Sequence, residues 1–290
     1  MPDILTAIAD IIHHKTFVLP ADAPGHTAIN ATGTTFERYF KDRLVGLEPG
    51  SDVERPIRYR QYLAYQGGAN NPPDAMYQGG DSGDAFEFKK SQGSPGGDIP
   101  LNSSWPKDRL RCDSRMLTDE CVKCEPWTER DLFYICGGVP KESTRISWIW
   151  VADARLMAAD HTVYEGLREQ IRLGISKIPG IRFAPTDELG KVNELDPTAA
   201  TGLRIRGMWS LEKPGKFFSS VPGVRQSTSP TLHAILRKDK WNSMNEVSRN
   251  RIAKFVGTAG FSMNEVKVRD PNIVGATIDA ILIRYEKDAT

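Results

Sequence analysis

The stretch that most constrains the fold is NPPDAMYQGGDSGDAFEFKKSQ, residues 71–92. It holds two short apolar runs, DAMYQ and AFEFKK, separated by the turn-forming residues GGDSGD. Glycine and aspartate clusters between apolar runs are typical of a β-hairpin. With the turn centred near residues 81 and 82, Asp74 lies approximately opposite residues 87–89, because positions equally far from a hairpin turn face each other.

The second predicted strand separates apolar from charged side chains. Successive residues of a strand point to opposite faces, so Phe86 and Phe88 share one face while Glu87 and Lys89 share the other. The phenylalanines can then pack into a core, and the charged groups converge with Asp74. Two converging carboxylates raise each other's pKa and need a counter-ion when they are buried.

A hard divalent cation with oxygen ligands supplies such a counter-ion. Mg²⁺ typically takes one or two protein carboxylates together with water and the phosphate oxygens of a substrate. The residues therefore favour Mg²⁺ at Asp74 and Glu87 and metal-assisted hydrolysis of a phosphodiester, with Lys89 orienting the attacking water or stabilising charge. The alternative is an ordinary surface hairpin that carries salt bridges.

The rest of the chain predicts mixed helices and strands. Apolar residues at helical spacing predict a short N-terminal helix, a core helix with Phe36, Phe40, Leu44 and Leu47, and a second core helix over 162–178. Five stretches are typical of strands or of a strand followed by a turn: 57–66, 131–139, 146–154, GLRIRGMWSLE and the C-terminal ATIDAILIRYE. The stretch DKWNSMNEVSRNRIAKFVG predicts an amphipathic basic helix. There is no internal repeat or long low-complexity linker, so we expect one domain over residues 1–290.

Charge is distributed unevenly along the chain. Residues 197–257 contain eleven basic and three acidic residues, a net charge of +8, in a chain whose total is +1. Such asymmetry indicates a face that binds a polyanion, and we expect a DNA-recognition region there. The alternative is a solvated surface whose charges are balanced in space by acids from elsewhere in the chain.

The composition, with 39% hydrophobic and 26% charged residues, is that of a folded globular protein. The N-terminus lacks a basic leader and no run is long enough to predict a membrane span, so we expect a cytoplasmic protein without membrane contact. The four cysteines, two of them in one CxxC pair, favour reduced thiols, with a structural zinc site as the alternative. They are Cys112, Cys121, Cys124 and Cys136.

The spacing of the hairpin residues adds a resemblance to a known family. Pro73-Asp74, twelve intervening residues and then Glu87-Phe88-Lys89 match the PD-(D/E)xK motif of restriction-endonuclease-like nucleases. The wider sequence resembles the NgoPII-type type II restriction endonucleases through NPPDAM, AFEFKKSQ, LNSSWPKDRL, MLTDEC, IPGIRFAPTDELGKVNELDP and LRIRGMW. The resemblance implies an α/β fold with a restriction-endonuclease-like core, in which helices flank a mixed central β-sheet.

The same resemblance implies an activity. We expect a homodimeric, Mg²⁺-dependent enzyme that cuts both strands of duplex DNA at a short palindrome, GGCC or a related GC-rich site, and leaves 5′-phosphates. A cognate DNA methyltransferase is the expected functional partner. Two other functions stay open on the sequence: a repair or recombination nuclease that recognises DNA structure, and a DNA-binding protein without catalysis.

Roles follow for individual residues. The resemblance assigns Asp74 and Glu87 as metal ligands and Lys89 as the catalytic lysine; Glu37, on the early helix, either completes the acidic site or is a solvated glutamate. We expect DNA contacts from residues that follow the catalytic strand and from two arginines suited to bidentate contact with guanine. They are Lys90, Ser91, Gln92, Asn102, Ser103, Ser104, Lys107, Arg204 and Arg206.

Overall fold

The computed structural model describes residues 2–20, 28–48, 51–68, 71–93, 95–102, 104–178, 183–184, 186, 188–193, 198 and 200–287. The helices of these ranges are α1 (Ile4–His14), α2 (Ala28–Leu44), α3 (Arg55–Tyr62), α4 (Asp119–Lys123), α5 (His161–Ser176), α6 (Pro214–Phe217), α7 (Lys238–Ser243) and α8 (Glu246–Ala253). The strands are β1 (Leu63–Tyr65), β2 (Ala75–Tyr77), β3 (Ala85–Ser91), β4 (Asp98–Asn102), β5 (Arg109–Arg111), β6 (Glu129–Gly138), β7 (Trp148–Asp153), β8 (Gly190–Val192), β9 (Leu203–Ile205), β10 (Trp209–Glu212), β11 (Thr231–Arg237), β12 (Phe261–Arg269) and β13 (Thr277–Glu286).

One mixed β-sheet runs through the centre of the molecule. Its strand order is β1-β2-β3-β6-β7-β11-β13-β12, and β5 pairs with one end of β6. The pairs β3–β6 and β7–β11 are parallel, whereas the other pairs along this path are antiparallel. The expected α/β class, a mixed central sheet flanked by helices, is therefore confirmed.

The sheet has a hydrophobic core on each face. One core packs α1 and α2 against residues such as Phe86, Phe88 and Phe133, and the other contains Trp150 and Phe218. The alternation of side chains along β3 assigns its phenylalanines to the first core. Glu87 and Lys89 consequently lie on the other face.

The two N-terminal helices form as their apolar spacing predicts. Asp3 caps α1 through a capping box with Thr6, and the predicted stripe of α2 is buried at Phe36 and Phe40. Helix α2 lies close to β6 because Gly137 has no side chain there. A Cβ at that position would lie 2.1 Å from the Phe36 ring.

The expectation of a strand over 57–66 is wrong for most of that stretch, which forms α3 before the short strand β1. Pro56 lies in the first helical turn, where the missing N–H costs no hydrogen bond. Tertiary contacts then hold the helix: the Arg55 guanidinium bonds Asp42 at 2.8 and 3.0 Å, and the Tyr59 hydroxyl donates to Asp42 at 2.8 Å. The tyrosines of 57–66 are spaced three apart, as in a helix, whereas Ile57 and Tyr59 alternate as in a strand, so periodicity alone did not separate the two structures.

Two further stretches, each predicted as one element, form two separate elements. The predicted basic helix is interrupted at Met244 and restarts as α8, where Asn245 accepts a hydrogen bond from the backbone N–H of Val247. A side chain that caps a new helix there offsets the loss of continuous helical hydrogen bonds. The stretch GLRIRGMWSLE forms β9 and β10, which pair with different strands, β8 and β4.

Helix α5 is present as its spacing predicts, but the expectation that it is a core helix is wrong. None of its residues is buried, and Val163, Leu167, Ile171 and Ile178 of its predicted core face are exposed. Its inward side is formed instead by residues such as Tyr164 and Arg168, which contact tryptophans. No helix within the described ranges is long and apolar enough to cross a membrane.

Candidate active site

The hairpin at residues 74–91 has the register that the sequence predicts. Ala75 pairs with Phe86 and Met76 with Ala85, and a short 3₁₀ turn over Gly80–Ser82 connects the two strands. The backbone N–H of Asp74 donates to the carbonyl of Phe86 at 2.9 Å. This pairing places Asp74 directly beside Glu87.

Three charged side chains meet at this point of the sheet. The Asp74 carboxylate accepts a 2.6 Å hydrogen bond at Oδ2 from the backbone N–H of Phe88, which fixes its orientation. Across the same face, Lys89 Nζ donates to Glu87 Oε1 at 2.7 Å. Gly67 permits the approach of the neighbouring loop: it has φ +89°, and a Cβ there would lie 2.5 Å from the backbone oxygen of Asp74.

The negative charge of the carboxylates in this cluster is only partly balanced by positive charge. Burial, and next the carboxylate of Glu87, raise the pKa of Asp74, and the Lys89 ammonium opposes this only in part. Burial disfavours the charged form of Lys89, but the carboxylates of Glu87 and Asp74 raise its pKa above the ordinary value. Lys89 is therefore held as an ammonium ion.

The donor set fits a hard divalent cation. Within the part of the chain that the structure describes, Glu87 Oε2 is buried without a hydrogen-bond partner, while Oε1 is engaged by Lys89. A buried carboxylate oxygen without a partner is costly, and a cation removes that cost. Asp74 and Glu87 supply the oxygen ligands that Mg²⁺ prefers.

Glu37 lies near the cluster but is engaged by another lysine. It projects from α2, its carboxylate accepts from Lys41 Nζ, and the same amine donates to the carbonyl of Gln66 at 2.6 Å. Its charge contributes to the raised pKa of Asp74, so the two carboxylates interact. Lys41, a buried cation one helical turn from Glu37, was not expected from sequence; the helical i, i+4 spacing is the signal that indicates it.

A second set of potential metal ligands lies nearer the N-terminus. Asp10, His14 and Glu48 approach one another closely enough for a metal ion. However, His14 contacts Asp10 through Nδ1 at 3.1 Å and Glu48 through Nε2 at 3.2 Å, and Asp10 is also bonded by Arg43 at 2.7 Å. The two ring nitrogens point in different directions, so these residues form an ion-paired network instead of one ligand shell.

The cluster of Asp74, Glu87 and Lys89 opens into a cleft of about 640 Å³. Several residues of its wall were given no role from the sequence, because they come from segments distant in the chain, although most of them lie in stretches that carry the family resemblance. They include Asn71, Trp105, Arg115, Arg168, Glu188 and Trp209. Arg115 and Arg168 contribute basic side chains to the wall of the cleft.

The residues expected to contact DNA after β3 occupy varied positions. Lys90 and Ser91 end the strand, Ser91 Oγ accepts from Lys213 Nζ at 2.8 Å, and Gln92 is exposed. Asn102 ends β4, and Ser103 lies outside the described residues.

Ser104 and Lys107 lie deeper than the others. Ser104 lines the cleft and accepts a hydrogen bond from Lys107 Nζ at 2.5 Å. Lys107 is buried, and burial lowers its pKa to about 8, although the nearby Glu87 carboxylate opposes that change. In this buried position the Lys107 amine donates to Ser104 and interacts electrostatically with Glu87. It is not exposed as a phosphate contact would be.

Arg204, in β9, and Arg206, just after that strand, bind the same acid. The Arg204 guanidinium donates to both oxygens of Glu188 at 2.9 and 2.7 Å, and Arg206 Nε donates to Glu188 at 2.5 Å. Both arginines remain about half exposed, and Arg206 and Glu188 line the cleft. To contact bases as expected, the two arginines must give up their ion pairs with Glu188 and bind a group of the nucleic acid instead.

Much of the charge in region 197–257 is balanced inside the molecule. Arg237 pairs with Asp131, Asp153 and Asp239, and Lys240 pairs with Asp84 and Asp131. Lys216 and Lys238 are also paired, with Glu212 and Glu265. For these members the alternative of internal charge balance holds, and DNA recognition by the region as a whole stays a prediction.

The cysteines are all free thiols, as the reduced state predicts. Cys136 lies in β6, where burial raises its pKa to about 12, and Cys121 Sγ lies 4.0 Å from the sulfur of Met76. Among the described residues, no group of cysteines has the geometry of a metal site.

Comparison with known proteins identifies the family of the chain. The family model of the NgoPII restriction endonuclease matches residues 2–269. The chain belongs to the NgoPII restriction endonuclease family. It is 33% identical over 285 residues to the type II restriction enzyme NgoPII of Neisseria gonorrhoeae, an alignment that covers 98% of this chain and 99% of the relative. No solved structure matches the chain. As a member of this family, the protein is a restriction endonuclease, a site-specific deoxyribonuclease.

Proposed function

We propose that this endonuclease cuts both strands of duplex DNA by Mg²⁺-dependent hydrolysis at a short palindrome, GGCC or a related GC-rich site, and leaves 5′-phosphates. One observation carries the proposal: Asp74, Glu87 and Lys89 meet at one cleft, where a carboxylate oxygen is buried without a partner. The spacing of these residues is that of the PD-(D/E)xK motif.

The protein groups divide the chemistry among them. Asp74 and Glu87 hold Mg²⁺, which supplies neutralisation of the charge that develops on the scissile phosphate. The backbone N–H of Phe88 holds the Asp74 carboxylate in place, so little reorganisation is needed when DNA enters. Lys89 Nζ places an ammonium charge beside the reacting phosphate and orients the attacking water through its N–H groups.

Cleavage leaves its phosphate on a defined side of the break. Attack of water on phosphorus, with loss of the 3′ oxygen, leaves a 5′-phosphate on one fragment and a 3′-hydroxyl on the other. The basic wall of the cleft, with Arg115 and Arg168, suits the DNA backbone, whereas Arg204 and Arg206 suit guanine in the major groove. Lys90, Gln92 and Asn102 extend the contacts beyond the catalytic strand.

A palindromic target requires symmetry in the protein. Two copies related by a two-fold axis present identical sites to the two strands, so the proposal includes a homodimer. It also includes a cytoplasmic location and a cognate methyltransferase that protects the host's own sites.

Digestion of unmethylated phage DNA with the purified protein tests the proposal. We expect discrete fragments with Mg²⁺, and sequencing of their ends should show one palindrome, one stagger and a 5′-phosphate. Asp74→Asn serves as the inactive control. Cleavage confined to flaps, junctions or nicked DNA would contradict the proposal, as would salt-dependent binding without any cleavage.

A further inference from the structure

Helix α5 has an unusual orientation of its apolar side. Its inward side contacts two tryptophans of the cleft wall through side chains that carry polar groups. Tyr164 meets the Trp209 ring edge-to-face, and the Arg168 guanidinium lies 5.9 Å from the centre of the Trp105 ring. Val163 and Leu167, in contrast, are 56% and 48% exposed. An amphipathic helix normally buries its apolar stripe, so among the described residues of one chain this helix has a contact surface without a partner.

The exposed side has the spacing of a helix–helix seam. Its positions recur every three or four residues, as in a heptad pattern. From one end to the other they are Asp160, Val163, Leu167, Gln170, Gly174 and Lys177. Asp160 caps the N-terminus of the helix and Lys177 lies at its C-terminal cap. We refer to these six residues as the α5 seam.

The α5 seam is complementary to itself when reversed. An antiparallel copy centred between residues 168 and 169 brings Asp160 opposite Lys177, Val163 opposite Gly174 and Leu167 opposite Gln170. Asp160, whose carboxylate also pairs with Arg111 at 3.3 Å, therefore meets Lys177 of the facing helix, twice in each pair of helices. Gly174 leaves room for the facing valine, since a Cβ built there meets nothing within 4 Å.

We propose that the α5 seam packs antiparallel on the α5 seam of a second copy of this chain and forms the centre of a two-fold interface. The proposal rests on the proposed function, because it names the surface through which the expected homodimer forms. A self-complementary patch is what an isologous contact requires. Stable interfaces bury roughly 800 Å² per partner, more than one helix face supplies, so surfaces beside the seam extend the contact.

The position of α5 connects this interface to cleavage. Arg168, on the inward side of the helix, lines the cleft that contains Asp74 and Glu87. A two-fold axis through the seam therefore sets one cleft on each side of the axis. This arrangement allows one dimer to act on both strands of a duplex.

Sedimentation equilibrium of the full chain, without DNA or metal, tests the surface. We expect the wild type to be a dimer, and Val163→Glu and Leu167→Glu to weaken dimerisation by at least tenfold. Val247→Glu is the matched control, since it places the same charge at an exposed valine of another helix, α8, and we expect it to dimerise as the wild type does. Far-UV circular dichroism reports whether each variant is folded.

The outcomes separate this proposal from the proposed function. A monomeric wild type, or α5 variants that dimerise as tightly as the control, would overturn the seam whether or not the protein cleaves DNA. If the seam variants are folded monomers, the seam is supported even when no cleavage is seen. Where the wild type does cleave, the monomeric variants should lose double-strand breaks more than single-strand nicks.

Discussion

The Asp74 carboxylate accepts a 2.6 Å hydrogen bond from the backbone N–H of Phe88, the residue between Glu87 and Lys89. A single backbone contact thus joins the two strands of the hairpin at the point where their charged side chains converge. The position of Asp74 depends on the register of β2 against β3, and any slip would separate it from Glu87.

Replacing either carboxylate with its amide should abolish cleavage and keep DNA binding. Asp74→Asn retains an oxygen for the Phe88 N–H, and Glu87→Gln retains the shape, so only the negative charge is lost. We expect cleavage to fall on the order of 10²- to 10³-fold or more, the effect of losing one preorganised electrostatic group. Single-turnover cleavage and fluorescence anisotropy measure the two properties. Asp81→Asn, an acid of the same hairpin turn, is the control, and loss of DNA affinity with normal cleavage would contradict the assignment.

Lys89→Ala should slow the chemical step more than it weakens binding. The amine is held by Glu87 at 2.7 Å, so its charge is directed at the site and not at bulk solvent. Single-turnover rates at saturating enzyme should fall, while the Kd for a cognate duplex stays within a few-fold. Lys267→Ala removes an exposed lysine from the far edge strand β12 and controls for overall charge. A large loss of affinity with normal chemistry would reassign Lys89 to phosphate anchoring.

Glu188→Gln should raise affinity for DNA. The change releases Arg204 and Arg206 from their shared carboxylate, and because exposed ion pairs of this kind contribute little, we expect Kd to fall by at most about fivefold. Anisotropy titrations without Mg²⁺ measure it, with Glu212→Gln as an exposed, ion-paired control. Weaker binding would indicate instead that Glu188 itself contacts the nucleic acid.

Gly137→Ala should destabilise the fold. The added methyl group would lie 2.1 Å from the Phe36 ring, so α2 must move away from β6. Overpacking of this kind costs about 1–3 kcal/mol in the free energy of unfolding, and urea denaturation measures it. Gly93→Ala, where a Cβ meets nothing within 4 Å, should leave that free energy nearly unchanged.

His233 should make the free energy of unfolding depend on pH below neutrality. Its ring stacks on Trp150 at 4.5 Å, both ring nitrogens lack partners among the described residues, and burial lowers its pKa to about 4, with Arg284 adding to the effect and Glu286 opposing it. The unfolded chain binds the proton first, so stability is complete above pH 6.5 and decreases by about 3 kcal/mol as the pH falls through 4.

A leucine at this position removes the titration. Urea denaturation of His233→Leu between pH 7.5 and 4.5 should show a smaller loss of stability than the wild type shows. His13→Gln, at an exposed histidine, should retain the wild-type dependence. Equal slopes for the wild type and His233→Leu would show that His233 is not the origin.

Sequence alone determined the local part of the site. Turn residues between two apolar runs, together with the two-residue period of strands, were sufficient to place Asp74 beside Glu87 and Lys89 and to direct Phe86 and Phe88 into a core. These are short-range properties, set by backbone geometry over fewer than twenty residues. The family resemblance rests on this hairpin and on four stretches beyond it, and the family is confirmed over nearly the whole chain.

Only the tertiary structure decided which charges are free to act and which apolar faces are covered. Glu188 pairs with Arg204 and Arg206, and Asp131 pairs with Arg237, through contacts that no local pattern encodes. Periodicity identified α5 but could not show which of its sides faces the protein, since spacing defines an apolar stripe and not its partner. Burial is a property of the assembled chain, because it depends on what packs against a surface.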